Sequence, residues 1–368
     1  MKKRNKVDFE NGAIEISMTV EKGQKTSEAE MRKALTELIQ KDKAQAFKDD
    51  KLSQAIESRS KEKISNLQTA EVKPAPILVP YLTGKDKLNQ KELDSVVDHM
   101  MKNQKVVKEK NKQGKTVVTL RVPLEATTPP TPVKATPDTK IEKTPKGSSN
   151  IPVKSTPDKK PVEQVQSHTS TTKSPSGLKQ PKTMPGNRAG ELPTRAKALE
   201  PQVNQYAKKA DLETPLVFAI IETESAFNPM ARSAVPAYGL MQVVPNSAGQ
   251  DATEALFGKP KILSPSYLYN GEQNIEIGTT YLNILFYRYL KGVTNPQSRL
   301  YCTIAAYNTG AGNVAKAFTG ERKLKPALAK INALTPDQVY EHLRDHLPYD
   351  ETKTYLLKVT QRMDKYTL

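Results

Sequence analysis

Residues 214–229 read TPLVFAIIETESAFNP. Thr214 followed by Pro215 is a helix start: a hydroxyl able to cap, then a proline in the first turn, where its missing N–H costs nothing. Pro229 bounds the other end, because the residue before a proline is pushed out of the helical region. Leu216–Ile221 is unbroken apolar sequence, so the helix is predicted to be buried on most sides. Glu222 and Glu224 stand at its far end. A carboxyl in apolar surroundings loses hydration and its pKa rises. Held protonated near neutral pH, such a group can donate its proton. The two lie roughly 200° apart around a helix, so they cannot together flank one scissile bond. Glu224 shares the stripe of Val217, Ile220 and Ile221; Glu222 neighbours Phe218 and Ala219. Periodicity leaves open which one serves a site, and both also fit as solvated or salt-bridged helix residues.

Outward from this helix the C-terminal sequence stays helical in pattern. A short helix is predicted at 207–212, and others at 271–291, 298–306, 311–318, 325–332, 335–344 and 351–365. No strand signal is strong. Of the 21 Phe and Tyr residues, 18 fall in 201–368 and none lies between Tyr81 and Tyr206. Large packing side chains mark a core. The single cysteine, Cys302, excludes an intrachain disulfide framework and a cysteine-rich zinc site. It reads as a small buried hydrophobe. No metal, nucleotide or other cofactor is implied, and DATEALFGKPK lacks the spacing of a phosphate loop.

The N-terminal 125 residues read as a small α+β domain. Val7–Glu10, Asn11-Gly12 and Ala13–Val20 predict a hairpin with a type I′ turn. Ser27 with Glu30 is a capping box opening a helix that could extend to about Asp49. Pro74–Tyr81 reads as extended, Leu93–Met101 as a second helix, and Lys115–Leu124 as a closing strand. No site chemistry is visible there, and a partner-binding or positioning role is expected.

Between the two, residues 126–195 form a predicted linker. Twelve of the 27 prolines lie in 126–193, and PVKATPDTK at 132–140 recurs as PVKSTPDKK at 152–160. Such composition predicts an extended, hydrated segment. The formal charge of +17 lies mostly outside the C-terminal region. The lysines of the linker have no interleaved aromatics for base stacking, so a nucleic-acid partner is not expected. Weak attraction to an anionic polymer or membrane surface is. No apolar run reaches the roughly 18 residues of a membrane span. The opening MKKRNKVDFENG runs into a polar turn, and no export signal is visible in it.

Five motifs then occur in order: Glu224-Ser225 with Phe227-Asn228-Pro229; Gly239-Leu240-Met241-Gln242; Asn274-Ile275 with Gly278, Tyr281 and Leu282; Ala306-Tyr307-Asn308 with Gly310 and Gly312; and Glu351-Thr352 with Tyr355 and Lys358-Val359. Together they resemble lytic transglycosylases with the SLT domain, a lysozyme-like fold. VPAYGLMQVVPNSAG and TNPQSRLYCTIAAYNTGAGNV narrow the resemblance to the membrane-bound lytic murein transglycosylase C group, whose opening hairpin VDFENGAIEI also resembles. The linker and the absent lipoprotein cysteine depart from that group.

The resemblance implies a mainly α chain with an all-α lysozyme-like catalytic domain at 196–368. It implies a lyase that cuts the β-1,4 MurNAc–GlcNAc bond of peptidoglycan and leaves 1,6-anhydromuramyl ends. Glu224 would be the lone acid and base. Tyr307 would hydrogen-bond Glu224. Gln242, Asn308 and Ser233 would contact sugar groups. Glu351 would line the cleft or cap a helix, and Tyr355 would pack near Glu224 or fill the core. Peptidoglycan strands would be the substrate, the periplasm or cell envelope the location, with peripheral membrane association and envelope secretion or conjugation machinery as further expected partners. A goose-type lysozyme hydrolase and a non-catalytic glycan-binding protein are the competing readings.

Overall fold

In the computed structural model, which describes residues 2–20, 27–111, 115–124 and 192–367, the chain opens with an antiparallel hairpin, β1 (Lys2–Asp8) and β2 (Ala13–Val20). The hairpin is where the sequence predicts it, but the turn differs. Asp8 pairs with Ala13, so four residues make the loop, and only Gly12 takes a positive φ. Asp8 holds that loop through its carboxylate, which accepts from the Asn11 backbone and side-chain nitrogens at 3.0 Å each. Helix α1 (Glu28–Ile39) carries the predicted Ser27–Glu30 capping box. It stops well before Asp49, because Asp42 caps a separate helix, α2 (Lys43–Asp49). Asp50 caps α3 (Lys51–Lys63), a helix with no clear apolar stripe in the sequence. After a two-residue strand, β3 (Leu67–Gln68), the segment read as extended ends in a short helix, α4 (Val79–Thr83). Helix α5 (Gln90–Lys102) and strand β5 (Thr116–Pro123) follow as expected, with edge strand β4 (Lys105–Lys110) between them.

The sheet order is β1-β2-β5-β4. Ile14, Ile16 and Met18 on β2 stand opposite Val122, Leu120 and Val118 on β5. All six face inward, onto Leu35 and Ile39 of α1 and Val96, Val97 and Met100 of α5. β4 is exposed throughout, which hid it from a reading that looks for alternation.

The C-terminal part consists of α6 (Thr194–Lys197), α7 (Glu200–Lys209), α8 (Thr214–Ser225), α9 (Ala248–Phe257), a two-residue strand β6 (Ile262–Leu263), α10 (Pro265–Leu268), α11 (Gly271–Asn283), α12 (Pro296–Thr309), α13 (Ala311–Thr319), α14 (Leu324–Asn332), α15 (Pro336–His346) and α16 (Asp350–Tyr366). The helix predicted over 271–291 widens into a π-helical segment at Ile284–Tyr289. Helix α8 is the buried centre. Leu216–Ile221 are almost fully inaccessible, and burying each large side chain contributes roughly 1.5–3 kcal/mol. That outweighs the few tenths of a kcal/mol by which each β-branched residue disfavours a helix. The cap is not the predicted one. Glu213 is the N-cap without a side-chain cap bond, and the Thr214 hydroxyl donates to Asn204 at 3.3 Å.

Every described residue belongs to one compact unit, Met1–Pro129 with Asn187–Leu368. The expected linker lies outside the described residues except for 192–195. β3 pairs with β6 in parallel, Leu67 opposite Ile262 and Gln68 opposite Leu263. This amends the expectation of a purely helical C-terminal region: its one short strand exists because the N-terminal module supplies the partner. The nearly buried Glu57 carboxylate accepts the Ser266 backbone N–H at 3.0 Å and pairs with Lys61. The Tyr269 hydroxyl donates to Asp50 at 3.0 Å and lies 3.0 Å from Ser53 Oγ. Among the described residues no helix is long and apolar enough to cross a membrane.

Candidate active site

Glu224 occupies the last turn of α8, where the chain leaves the helix abruptly. Ala226 and Phe227 both adopt left-handed backbone, φ 47° and 68°. For non-glycine residues this costs about 1–2 kcal/mol each. Phe227 secures the turn by burying its ring beside Tyr366, with centroids 6.5 Å apart. The strain leaves Glu224 at an open edge of an otherwise closed core.

That edge is a cleft of about 330 Å³ lined by Glu222, Thr223, Glu224, Ser225, Ala226, Ala231, Arg232, Ser233, Gln242, Arg362 and, from the hairpin loop, Glu10. Glu224 is partly accessible to the cleft but surrounded by protein on its other sides. Burial pushes its pKa up to about 7; the neighbouring Tyr355 opposes the rise and the negative charge of Glu351 adds to it. Glu224 therefore combines a pKa near neutrality with access to the cleft.

Glu222 is in the opposite state. Burial would raise its pKa, but Lys365, the Tyr366 hydroxyl and Arg362 together hold it below the usual value. Lys365 Nζ donates at 2.9 Å, Tyr366 Oη at 2.7 Å, and Arg362 Nε stands 3.8 Å away. These contacts bind α8 to α16. Glu222 is thus committed to ionic partners on α16, and Glu224 is not.

The predicted supporting residues divide by what holds them. The Tyr307 hydroxyl donates to the Met241 carbonyl at 2.8 Å, not to Glu224 as expected. Its ring packs against Tyr281, and burial with the nearby Glu224 charge raises its pKa well above the ordinary value. Tyr307 therefore fastens the loop that carries Gln242. Tyr355, buried on α16, is the tyrosine beside Glu224; among the described residues its hydroxyl meets no acceptor in strict hydrogen-bonding geometry, yet it acts on the Glu224 carboxyl and lowers its pKa. Glu351 is exposed in the first turn of α16 and reaches Glu224 through its field only.

Gln242 has left-handed backbone, φ 46°, and its side-chain nitrogen donates to the carbonyls of Gly239 at 2.9 Å and Ala231 at 3.1 Å. Among the described residues its amide oxygen receives no protein donor, so it remains an acceptor at the cleft. Asn308 accepts the Thr352 hydroxyl at 2.7 Å through its oxygen. Its NH₂ group makes no hydrogen bond among the described residues, but Asn308 is not part of the cleft lining. Ser233 lines the cleft, with its hydroxyl turned to the Val235 carbonyl and accepting from Ala237 N–H at 3.3 Å.

Two motif residues serve the loop and not the chemistry. The fully buried Asn274 accepts Met241 N–H at 2.8 Å and donates to the carbonyls of Tyr238 and Leu268 at 2.8 and 2.9 Å. Gly239 has φ 78° and is so close that a Cβ would collide with Asn274 and the Leu268 carbonyl. Sequence reasoning missed Arg232, Arg362 and Glu10. Arg232 stands between two motifs, but Glu10 carries no local signal, because only the tertiary fold brings the hairpin loop to α8. Cys302 is fully buried, with burial pushing its thiol up to about 12.

Residues 201–329 match the family model of the Transglycosylase SLT domain, so this stretch carries an SLT domain. Curated relatives are membrane-bound lytic murein transglycosylases C: that of Actinobacillus pleuropneumoniae serotype 5b (strain L20) is 44% identical over 180 residues, and that of Serratia proteamaculans (strain 568) 43% over 177. Each match covers 48% of this chain and 48% of the relative. The chain thus spans about half the length of the curated relatives it matches. Among solved structures, an inactive mutant of the lytic transglycosylase Slt from Pseudomonas aeruginosa is 30% identical, covering 45% of this chain and 23% of the other at a TM-score of 0.35.

Proposed function

We propose that the protein is a peptidoglycan lytic transglycosylase acting in the cell envelope, with Glu224 as its single acid and base. The observation that carries this is the contrast within the cleft: Glu224 alone combines access with a pKa of about 7, whereas Glu222 is held ionised by three partners. A protonated Glu224 gives its proton to the glycosidic oxygen as the bond breaks. The resulting carboxylate then takes the proton of the muramyl 6-hydroxyl as that oxygen closes on the anomeric carbon. One carboxyl does both steps, so no second carboxylate across the bond is required, as a classical glycosidase would need. The Gln242 amide oxygen accepts from a sugar N–H or hydroxyl. Asn308 and Ser233 are further candidate contacts, and Tyr355 and Glu351 tune the acid.

The small N-terminal module at 1–125, the linker at 126–195 and the catalytic domain at 196–368 would then act together at the wall. Peripheral attraction to anionic surfaces, and service to a secretion or conjugation machine, extend the same proposal. The test is mass spectrometry of the products released from purified peptidoglycan by the protein and by Glu224→Gln. Products one water lighter than reducing-end muropeptides, absent with the variant, are expected. Reducing-end products would instead mark a hydrolase, with Glu351 as the first candidate for the water-activating base. No product from the unaltered protein would leave a glycan-binding role.

A further inference from the structure

Two arginines line the cleft, and they are not equivalent. Arg362 is engaged: Nη1 donates to Thr223 Oγ1 at 2.8 Å and Nε faces Glu222. Arg232 is held but not satisfied. Its backbone forms an isolated bridge with Tyr238. Its Nε lies 3.5 Å from Asp50 Oδ2, an ion pair outside hydrogen-bonding geometry. None of its guanidinium N–H groups meets a protein acceptor in hydrogen-bonding geometry among the described residues. Its side chain is 30% exposed, on the wall shared with Glu224, Ser233 and Gln242.

Asp50 belongs to the other module and is itself fixed. It caps α3 through Ser53 N–H at 3.2 Å, accepts the Ser53 hydroxyl at 2.5 Å, and accepts the Tyr269 hydroxyl at 3.0 Å. The Tyr238 and Tyr269 rings meet edge to face at 5.7 Å, tying the backbone bridge of Arg232 to the same anchor. A fixed acid on one side of a guanidinium, with the remaining donors free, is a fork set for a planar anion.

The sugar rings of peptidoglycan are uncharged; its anionic groups are carboxylates, on the lactyl ether or its peptide stem. We propose that Arg232 is a specificity-determining residue that takes a carboxylate of the muramyl unit or its stem, and that Asp50 positions it from the N-terminal module. This rests on the peptidoglycan reading of the cleft. It makes the protein prefer carboxylate-bearing strands over neutralised ones of equal length. It also gives the N-terminal module a defined part in substrate choice.

The experiment measures binding and cleavage separately. Binding is measured by calorimetry in the Glu224→Gln background, with soluble peptidoglycan strands either native or with their carboxylates amidated by carbodiimide coupling to methylamine. Arg232→Gln should weaken binding of native strands about tenfold, the scale of a charge-assisted pair. On amidated strands the same change should have no effect. Arg232→Lys keeps the charge and loses the fork, and should recover part of the affinity. Asp50→Asn should weaken native binding less than Arg232→Gln, and the double variant should bind no more weakly than Arg232→Gln alone. In cleavage of native strands by the chain with Glu224 intact, Arg232→Gln should raise KM and leave kcat within about twofold. Equal losses on native and amidated strands, or none on either, overturn the proposal. If carboxylate-dependent binding is found but no anhydro product is released, the transglycosylase reading falls and the role of Arg232 stands.

Discussion

Glu222 and Glu224, two residues apart at the end of α8, both face helix α16, but only Glu222 finds cations there. Lys365, Arg362 and Tyr366 keep Glu222 charged, while Tyr355 and the field of Glu351 act on a Glu224 that burial keeps protonated. An acid with a pKa of about 7 donates only while protonated. Cleavage per enzyme should therefore fall as pH rises above about 7. A pH–rate profile of kcat/KM that stays flat from pH 6 to 9 would remove Glu224 as the acid.

The same shift carries a stability consequence. The folded state holds the Glu224 proton up to about pH 7, whereas the unfolded chain releases it near 4.5. The native state therefore binds more protons between those values, and stability declines as pH rises through that window. The decline is at most about 3.5 kcal/mol, since each of the two and a half pH units contributes roughly 1.4 kcal/mol. Glu224→Gln removes the titration. It should melt higher than the unaltered protein at pH 8 and match it near pH 4, as calorimetry at the two pH values will show.

Glu222 titrates with the reverse sign. Its folded pKa is depressed, so its stabilisation is present above about pH 4.5 and is lost as pH falls through the folded value. Glu222→Gln should cost about 1–3 kcal/mol at neutral pH, because it leaves Lys365 and Arg362 without their acid. Chemical denaturation at pH 7 and again at pH 3 should show the penalty shrink on acidification.

Tyr355→Phe deletes a buried hydroxyl that acts on the Glu224 carboxyl although, among the described residues, it meets no acceptor in strict hydrogen-bonding geometry. Stability should change by no more than about 1 kcal/mol, since at most one weak, poorly aligned hydrogen bond is lost. The hydroxyl also opposes the rise of the Glu224 pKa. The alkaline limb of the activity profile should move upward in the variant, and an unmoved limb would separate Tyr355 from Glu224.

Asn274→Ala removes three buried hydrogen bonds, two to Tyr238 and Met241 in the loop carrying Gln242 and one to Leu268 at the end of α10. A cost of roughly 3 kcal/mol is expected at about 1 kcal/mol per bond, with a loss of activity although Asn274 touches no part of the cleft lining. Thermal melting together with kcat/KM on soluble strands will show both.

What could be read from residues alone tracks where the information is local. The buried helix around Ile220 and Ile221, the Ser27 capping box and the stripe of α5 follow from periodicity and capping, which are properties of short windows. Periodicity did not separate Glu224 from Glu222, which only the motif order did, because the Glu222 partners Lys365 and Tyr366 lie more than a hundred residues further on. Tyr307 shows the limit of motif transfer: its hydroxyl fastens the Met241 carbonyl, and nothing in Ala306-Tyr307-Asn308 distinguishes that from a bond to Glu224. Strand β6 has only two residues, and pairing with β3 is what makes it a strand.

The hairpin loop has a consequence for the topology of the whole chain. Leu124 N–H donates to the Gly12 carbonyl at 2.7 Å, and Arg195 Nη1 donates to the Phe9 carbonyl at 2.5 Å. The residues on either side of 125–191 are thus pinned to one four-residue turn. A segment whose two ends are fixed together sets no distance between the parts it joins. The spacing of the two modules, and with it the position of Glu224, is therefore set by the hairpin turn and not by that segment.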